Sequence, residues 1–276
     1  MKDLLIILLV CFGASANAQM EGWAQTFKDT RVINGHSVET SQKGAMKFVI
    51  SHRFGALNGG TYELFGLDQS TIRMGLDYGL TDRLTIGAGR SSFEKTYDGF
   101  MKYRLLVQKD DNSPISITAL ANMAINTLKW ENPDRENFAT SRYFYTWQLL
   151  LSRKFSDDLS VQLMPTVVHR NLVPNEDIAH DVISIGGAIR YQLTKKMALQ
   201  VEGYYIPEDQ LASDFTMPLS VGIDIETKGH QFQFSLSNSM GMTEKIFITG
   251  TRNKWTDAGV GLGFNITRDF RIRGRK

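Results

Sequence analysis

Between residues 71 and 107, apolar side chains fall at every second position. Ile72, Met74, Leu76, Tyr78 and Leu80 alternate with Arg73, Gly75, Asp77 and Gly79. After a turn at Thr81-Asp82-Arg83, Leu84, Ile86 and Ala88 alternate with Thr85, Gly87 and Gly89. A period of two belongs to a strand with one apolar face. That face must be covered. In a water-soluble sandwich a second sheet covers it. In an outer-membrane barrel lipid covers it, and the polar, Gly-rich face lines a lumen.

The rest of the chain repeats the pattern. Met46, Phe48, Ile50 and Phe54 share one face of a first strand, opposite Lys47, Ser51 and Arg53. Tyr97, Met101, Tyr103, Leu105 and Val107 oppose Asp98, Lys102 and Arg104. Ile115 to Ile125 alternate with Ser116, Thr118, Asn122 and Asn126, and Tyr143, Tyr145, Trp147, Leu149, Leu151 and Phe155 with Arg142, Thr146, Gln148, Ser152 and Lys154. Further segments begin near Leu159, Ile183, Leu199, Leu219 and Phe232, and a last one holds Val260, Leu262, Phe264 and Ile266. Pro165 is at odds with its strand, because proline withholds a ladder donor. The count is about twelve strands, each near the ~9–11 residues that cross a bilayer when tilted.

Connections alternate in length, short near residues 81, 109, 156, 194 and 227 and mostly long between, the exception being a short link near Ser92. Short periplasmic turns and long outer loops are the habit of a transmembrane barrel. An even strand number brings both termini to the periplasm. Phe54, Tyr97, Tyr143, Tyr145 and Tyr205 then fall at outer ends, and Tyr78, Phe155, Tyr191, Phe232 and Phe270 at periplasmic ends, as two interfacial girdles. The expected fold is an all-β, single transmembrane antiparallel up-and-down barrel.

Lys2, the apolar run from Leu4 to Val10 and the Ala16-Asn17-Ala18 site read as a signal peptide over residues 1–18. Residues 19–43 then form an N-terminal periplasmic segment and 44–276 the barrel, in the outer membrane of a Gram-negative bacterium. Cys11 is the sole cysteine; Val10 before it speaks against lipid attachment, and signal removal leaves no disulfide or thiolate chemistry. The formal charge of +2, with no basic patch, excludes nucleic acid as a partner.

The stretches TRVINGHSVET, KGAMKFVISHRFG, FGLDQSTIRMGLDYGLTDRLTIGAGRSSFEKTYDGFMKYRLL and GVGLGFNI resemble a family of outer-membrane β-barrels of unknown function from the Bacteroidota. The resemblance covers nearly the whole mature chain. It implies fold and location and no activity. Gly261, Phe264 and Ile266 also resemble the C-terminal signal read by the barrel-assembly machinery, an expected partner in biogenesis beside outer-membrane lipid. The chain departs from that pattern by continuing to Arg-Gly-Arg-Lys.

Candidate lumen residues, for binding or conduction, are Arg53, Arg73, Asp77, Lys102, Arg104, Arg142, Arg190, Glu202 and Asp224, together with Lys47, Asp98, Lys154 and Glu226. They fit a mildly basic pore, or a salt-bridged interior that leaves no charge unpaired. No catalytic set stands out. His52 and His169 lie on outward positions without a serine two residues away; His169 has Asn171 there, an orienter without a nucleophile. His169, Glu176, Asp177, His180 and Asp181 share a loop, but their spacing matches no closed metal site. No metal or cofactor is expected. The expected function is non-enzymatic: a narrow barrel that passes or binds a small solute. The alternative is a structural barrel that presents its loops and N-terminal segment to envelope proteins, and an outer-membrane lipid enzyme stands third. Within residues 27–40, Phe27, Val32, Ile33 and Val38 sit among Lys28, Asp29, Arg31, His36 and Glu39, with a turn signal at Asn34-Gly35. That mixture suits a lumen plug, with Arg31 and Glu39 paired to wall charges. The other reading is a loose leader or a strand under the barrel mouth.

Overall fold

The computed structural model describes residues 23–109, 113–173, 175 and 178–272. The expected signal peptide, Cys11, the Asp110-Asp111-Asn112 turn, Glu176 and Asp177, and the basic tail from Arg273 lie outside these residues.

Twelve strands form the barrel: β1 Ala45–Ala56, β2 Ser70–Gly79, β3 Leu84–Ser91, β4 Tyr97–Leu106, β5 Ser116–Ile125 and β6 Tyr143–Lys154, then β7 Leu159–Arg170, β8 Asp181–Thr194, β9 Met197–Tyr205, β10 Leu219–Glu226, β11 Gln231–Ser237 and β12 Gly261–Arg271. Each pairs antiparallel with its sequence neighbours, and β12 closes on β1, from Ala45↔Arg271 to Arg53↔Gly263. Closure leaves no sheet edge unpaired. The ladder between β6 and β7 is interrupted between Gln148↔Thr166 and Leu151↔Leu163, and resumes in the same register. The gap lies beside Pro165, which has no N–H to give.

The two-residue period sorts the side chains as expected over most of each strand, but Val107, expected outward, lies past the bulge between Arg104 and Leu106 and is buried. Met74, Leu76, Ile86, Met101, Leu149, Leu163, Ile183, Ile185, Phe234 and Leu262 are exposed on the outer wall. Tyr97 and Tyr205 are exposed at the long-loop end, and Phe155 and Tyr191 at the short-turn end. Val260 differs from the sequence reading. It precedes β12 and is buried, its carbonyl accepting from the Leu57 amide.

The inner wall has two characters. On β1 to β5 and β10 to β12 the buried inward residues are mostly charged or polar, including Lys47, Arg53, Arg73, Asp77, Lys102, Arg104, Asp224 and Asn265. On β6 to β9 many are apolar: Leu150, Met164, Val168, Val182, Ala188 and Tyr204. Two segments occupy the space between. The first, from the short-turn end, is a hairpin of residues 26–41, tightened at Asn34-Gly35 by the bridge Arg31↔His36 and by the Val32 amide donating to the Gly35 carbonyl at 2.8 Å. The second is the connection from β11 to β12, which carries the short helix α1 (Glu244–Thr249). Phe27, Val32, Ile33 and Val38 of the hairpin, Phe247 and Ile248 of α1, and the apolar wall form one buried cluster.

Candidate functional site

The lumen is built around the hairpin. Asp29 enters low on the wall. Its carboxylate meets Lys47 Nζ at 2.7 Å and accepts from Thr267 Oγ1 at 2.6 Å. Burial pushes the Asp29 pKa up, but Lys47 and these hydrogen bonds outweigh it and hold the group below the usual carboxylate value.

The tip reaches the far end of β1, β10 and β11. Glu202 of β9 accepts from the backbone amides of Ile33, Asn34 and Gly35 at 2.9 to 3.3 Å. Arg53 donates through Nη2 to the Asn34 side-chain oxygen at 2.8 Å and the Ile33 carbonyl at 3.1 Å, and through Nη1 to Asn265 Oδ1 at 3.0 Å. Asn34 Nδ2 donates to Ser220 Oγ at 3.0 Å. Gln233 Nε2 donates to the Val32 carbonyl at 2.7 Å and Asn265 Nδ2 to that of Ile33 at 2.8 Å. A hairpin without strand partners needs this supply, because a buried backbone amide or carbonyl left unbonded is costly.

The chain returns down the opposite wall. Gln162 of β7 accepts from the Val38 amide at 2.7 Å and donates to the His36 carbonyl at 2.9 Å. Lys102 Nζ donates to the carbonyls of Ser37 and Glu39 at 2.8 and 2.6 Å. Arg104 Nη2 holds the Val38 carbonyl and a Glu39 carboxylate oxygen, both at 2.8 Å. The segment leaves through the Ser41 amide, bonded to Thr85 Oγ1 at 2.8 Å.

Of the thirteen candidate residues named from sequence, Lys47, Arg53, Lys102, Arg104 and Glu202 bond the hairpin directly, and Asp77 accepts from Thr30 Oγ1 at 3.2 Å. Arg73 turns to Asp98 instead, with Nε and Nη2 at 2.8 and 2.5 Å from its two oxygens. Asp224 accepts from Gln233 Nε2 at 3.0 Å, and Arg190 Nε lies 3.6 Å from it. The Gly-rich inner face makes room for these side chains. A Cβ on Gly263 would stand 2.6 Å from Arg53 Cδ, and one on Gly89 would overlap the Arg73 guanidinium.

Arg142 differs from the sequence reading, whereas Lys154 keeps its inward register opposite Ser160 at the end of β6. Arg142 ends a 3-10 turn before β6, its guanidinium 3.6 Å from the Trp130 ring centre and its Nη1 on the Asn126 carbonyl. Lys154 lies at the short-turn mouth and pairs with Asp157 at 2.8 Å. Glu39 has Arg104 as its partner, whereas among the described residues Arg31 faces no wall carboxylate at hydrogen-bond distance. It meets Glu244 of α1, Nη1 to Oε1 at 3.7 Å, and lies over Phe100. His36 Nε2 is 3.4 Å from the same oxygen. Burial, then the charges of Arg31, Lys102 and Arg73, push the His36 pKa well below the usual imidazole value. Glu244 and the apolar wall had no sequence signal of their own kind. The clue was weaker: Leu150, Met164, Val168 and Val182 are apolar at positions where the alternation asks for polar ones.

His52 stacks on Phe264 with ring centres 5.1 Å apart, and His169 Nδ1 is 2.7 Å from Asp181 Oδ1. Asn171 Nδ2 donates away from it, to the Thr140 carbonyl. Among the described residues, no serine hydroxyl bonds to either ring and no group of three metal-ligating side chains is brought together. At the short-turn mouth a cavity of about 240 Å³ opens between the hairpin and β10 to β12, lined by Trp23, Lys28, Asp29, Lys47, Glu226 and Asp269 among others.

The barrel is similar to the NanC porin, at 10% identity, with 82% of this chain and 100% of that one covered and a TM-score of 0.51. It is also similar to the KdgM porin (11% identity, 83% and 99% covered, TM-score 0.48) and to an outer membrane channel from Pseudomonas putida F1 (18%, 84% and 98%, 0.48). No curated protein sequence matches. Likeness at these identities is one of fold, that of porin-like outer-membrane barrels. Sequence is more specific: residues 27–270, from the first hairpin residues through the closing strand, match the family described as a membrane bound beta barrel domain, DUF5777, and the chain belongs to that family.

Proposed function

We propose that this is a non-enzymatic outer-membrane channel for small polar solutes, held closed by its N-terminal hairpin. The observation that carries the reading is how the hairpin is held. Side chains of the wall bond it from one strand after another, while among the described residues its own backbone joins no strand beyond the bridge Lys43↔Gly79 at its exit. A segment bound in this way can be withdrawn without breaking a single rung of the barrel ladder. Withdrawal leaves a polar wall on β1 to β5 and β10 to β12, carrying Lys47, Arg53, Lys102 and Arg104. The fold shared with the NanC porin supports the same reading. The test is conductance in planar bilayers. The full-length protein is expected to be near-silent, and a variant lacking residues 23–41 to conduct with a preference for anions. A silent barrel after that deletion would defeat the channel reading.

A second reading has its own observation. The apolar wall of β6 to β9 packs on Phe27, Val38, Phe247 and Ile248 as a buried apolar cluster. A barrel filled in this way suits a structural role, with the long loops presented to envelope partners. Silence of the deletion variant would favour it.

A further inference from the structure

Arg73 and Arg31 are both buried in the lumen, and they differ in one respect. Arg73 offers the Nε and Nη2 edge of its guanidinium to the two oxygens of Asp98. This is the side-on fork that matches a carboxylate. The same edge of Arg31, also Nε and Nη2, is buried and has no hydrogen-bond partner. The carboxylate of Glu244 meets only the other corner, Nη1, at 3.7 Å. Its Oε1 is 3.4 Å from His36 Nε2, yet Oε1 and both ring nitrogens of His36 are without a hydrogen bond too. Three ionisable side chains, each at most 4% exposed, thus meet where hairpin and loop touch, and none is fully satisfied there. Unbonded buried polar groups are costly, and charged ones more so.

The cause lies in the helix. Glu244 opens α1, and the later residues of α1 fix the helix in place. Phe247 and Ile248 are packed into the apolar cluster, and Lys245 Nζ is 2.8 Å from Glu94. Packing sets how far the Glu244 carboxylate can reach, and it stops short of the fork. A carboxylate that is not tethered has no such limit.

We propose that Arg31 and His36 form a binding site for a small organic carboxylate, and that Glu244 occupies it as a tethered stand-in which the free ligand displaces. The two oxygens of the ligand take the Nε–Nη2 edge of Arg31, and His36 Nε2–H donates to one of them. One carboxylate replaces another, so the charge of the site is unchanged. The Phe100 ring, 5.3 Å from the Arg31 guanidinium and 4.5 Å from the imidazole, closes one side and restricts the ligand to a short chain. Glu244 moves out toward the long-loop side, and α1 loses its hold on the hairpin. This goes beyond the channel reading, and its test does not depend on conduction.

The experiment reads the exposure of α1. Thr249, buried at its end, is replaced in a Cys11→Ser background as Thr249→Cys. The protein is folded into vesicles and labelled with a membrane-impermeant thiol reagent, in sodium chloride or in sodium acetate at equal ionic strength and pH. Labelling is expected to be slow in chloride and at least tenfold faster in acetate, saturating with concentration. With Glu244→Gln it is expected to be fast in both salts. With Arg31→Gln the acetate dependence disappears; His36→Gln raises the acetate concentration at half-effect at least tenfold. Heat-modifiable electrophoretic mobility identifies folded barrels, so a variant that fails to fold is set aside and the remaining variants decide. The proposal is overturned if acetate leaves labelling of the Thr249→Cys protein unchanged, if Glu244→Gln labels as slowly as its parent, or if the acetate dependence survives intact in the folded Arg31 or His36 variant. Acetate-dependent labelling in a barrel that never conducts would keep the site and reject the channel.

Discussion

Glu202 does for the hairpin tip what a cap does for a helix end: one carboxylate accepts from three successive amides, of Ile33, Asn34 and Gly35. Hydrogen bonds to a charged acceptor contribute roughly 1.5–3 kcal/mol. Glu202→Ala is therefore expected to release the tip while the barrel stays folded. The measurement is thiol labelling of Val32→Cys. Val32 is fully buried, and labelling should rise at least tenfold when Glu202 is removed. His36 sets a pH dependence of the same docking. Its pKa is lowered when docked, so the docked form binds fewer protons than the released one. Docking is at full strength above the ordinary value of 6.5 and weakens as pH falls below it. Asp29 and Glu39, both held below their usual values, add losses in the same direction further down. Glu244, pushed up by burial, works in the opposite sense. Comparison with His36→Gln therefore isolates the imidazole. Shielding of Ser37→Cys should begin to fail below about pH 6.5, and in the His36→Gln protein this onset should move down into the carboxylate range.

At the scale of one element, β6 shows which part of the sequence was legible. Its outward row, Tyr145, Trp147, Leu149 and Leu151, follows the two-residue period, and Tyr145 stacks on Trp147 at 6.1 Å. Leu149→Arg, on the exposed apolar face, is expected to cost about 2–4 kcal/mol in a folding titration into bilayers. The inward row is another matter. A water-filled lumen would accept Arg at Gln148 at little cost. Gln148 is instead buried, bonded to Thr166 Oγ1 at 2.9 Å, and its strand neighbour Leu150 belongs to the apolar cluster. Gln148→Arg is now expected to cost as much as Leu149→Arg, because it buries a charge, whereas Gln148→Leu should cost about 1 kcal/mol, the worth of one ordinary hydrogen bond. The outward face was legible because lipid imposes one rule on every strand. The inward face answers to whatever fills the barrel, and the filling comes from segments far apart in sequence. The six residues of α1 are too few to show a helical period, and the alternation that runs back from Tyr143 to Arg142 does not reveal that a 3-10 turn takes over at Arg142. The charged wall was legible residue by residue, but which charge meets which could not be read, since Arg53, Glu202 and Asn265 converge only through closure.

Over the whole molecule, the hairpin runs nearly the height of the wall, from Lys47 near the start of β1 to Arg53 near its end. The β11–β12 connection fills the outer part beside it. Replacing loop residues 239–252 by a short linker is therefore expected to leave the full-length barrel near-silent in planar bilayers, whereas the same replacement in the variant without residues 23–41 should raise its conductance above that of the hairpin deletion alone. The hairpin also bears on the seam where the first and last strands meet. Asp29 bonds Lys47 of β1 and Thr267 of β12, and the Ile33 carbonyl is shared by Arg53 of β1 and Asn265 of β12. The hydrogen bond from Asn265 to Ile33 spans 232 residues of sequence. The bonds to Asn265 and Thr267 thus wait for the last strand, and contacts so distant are slow to be made. Once the final strand arrives, the hairpin residues inside the barrel tie its first and last strands to each other across the seam.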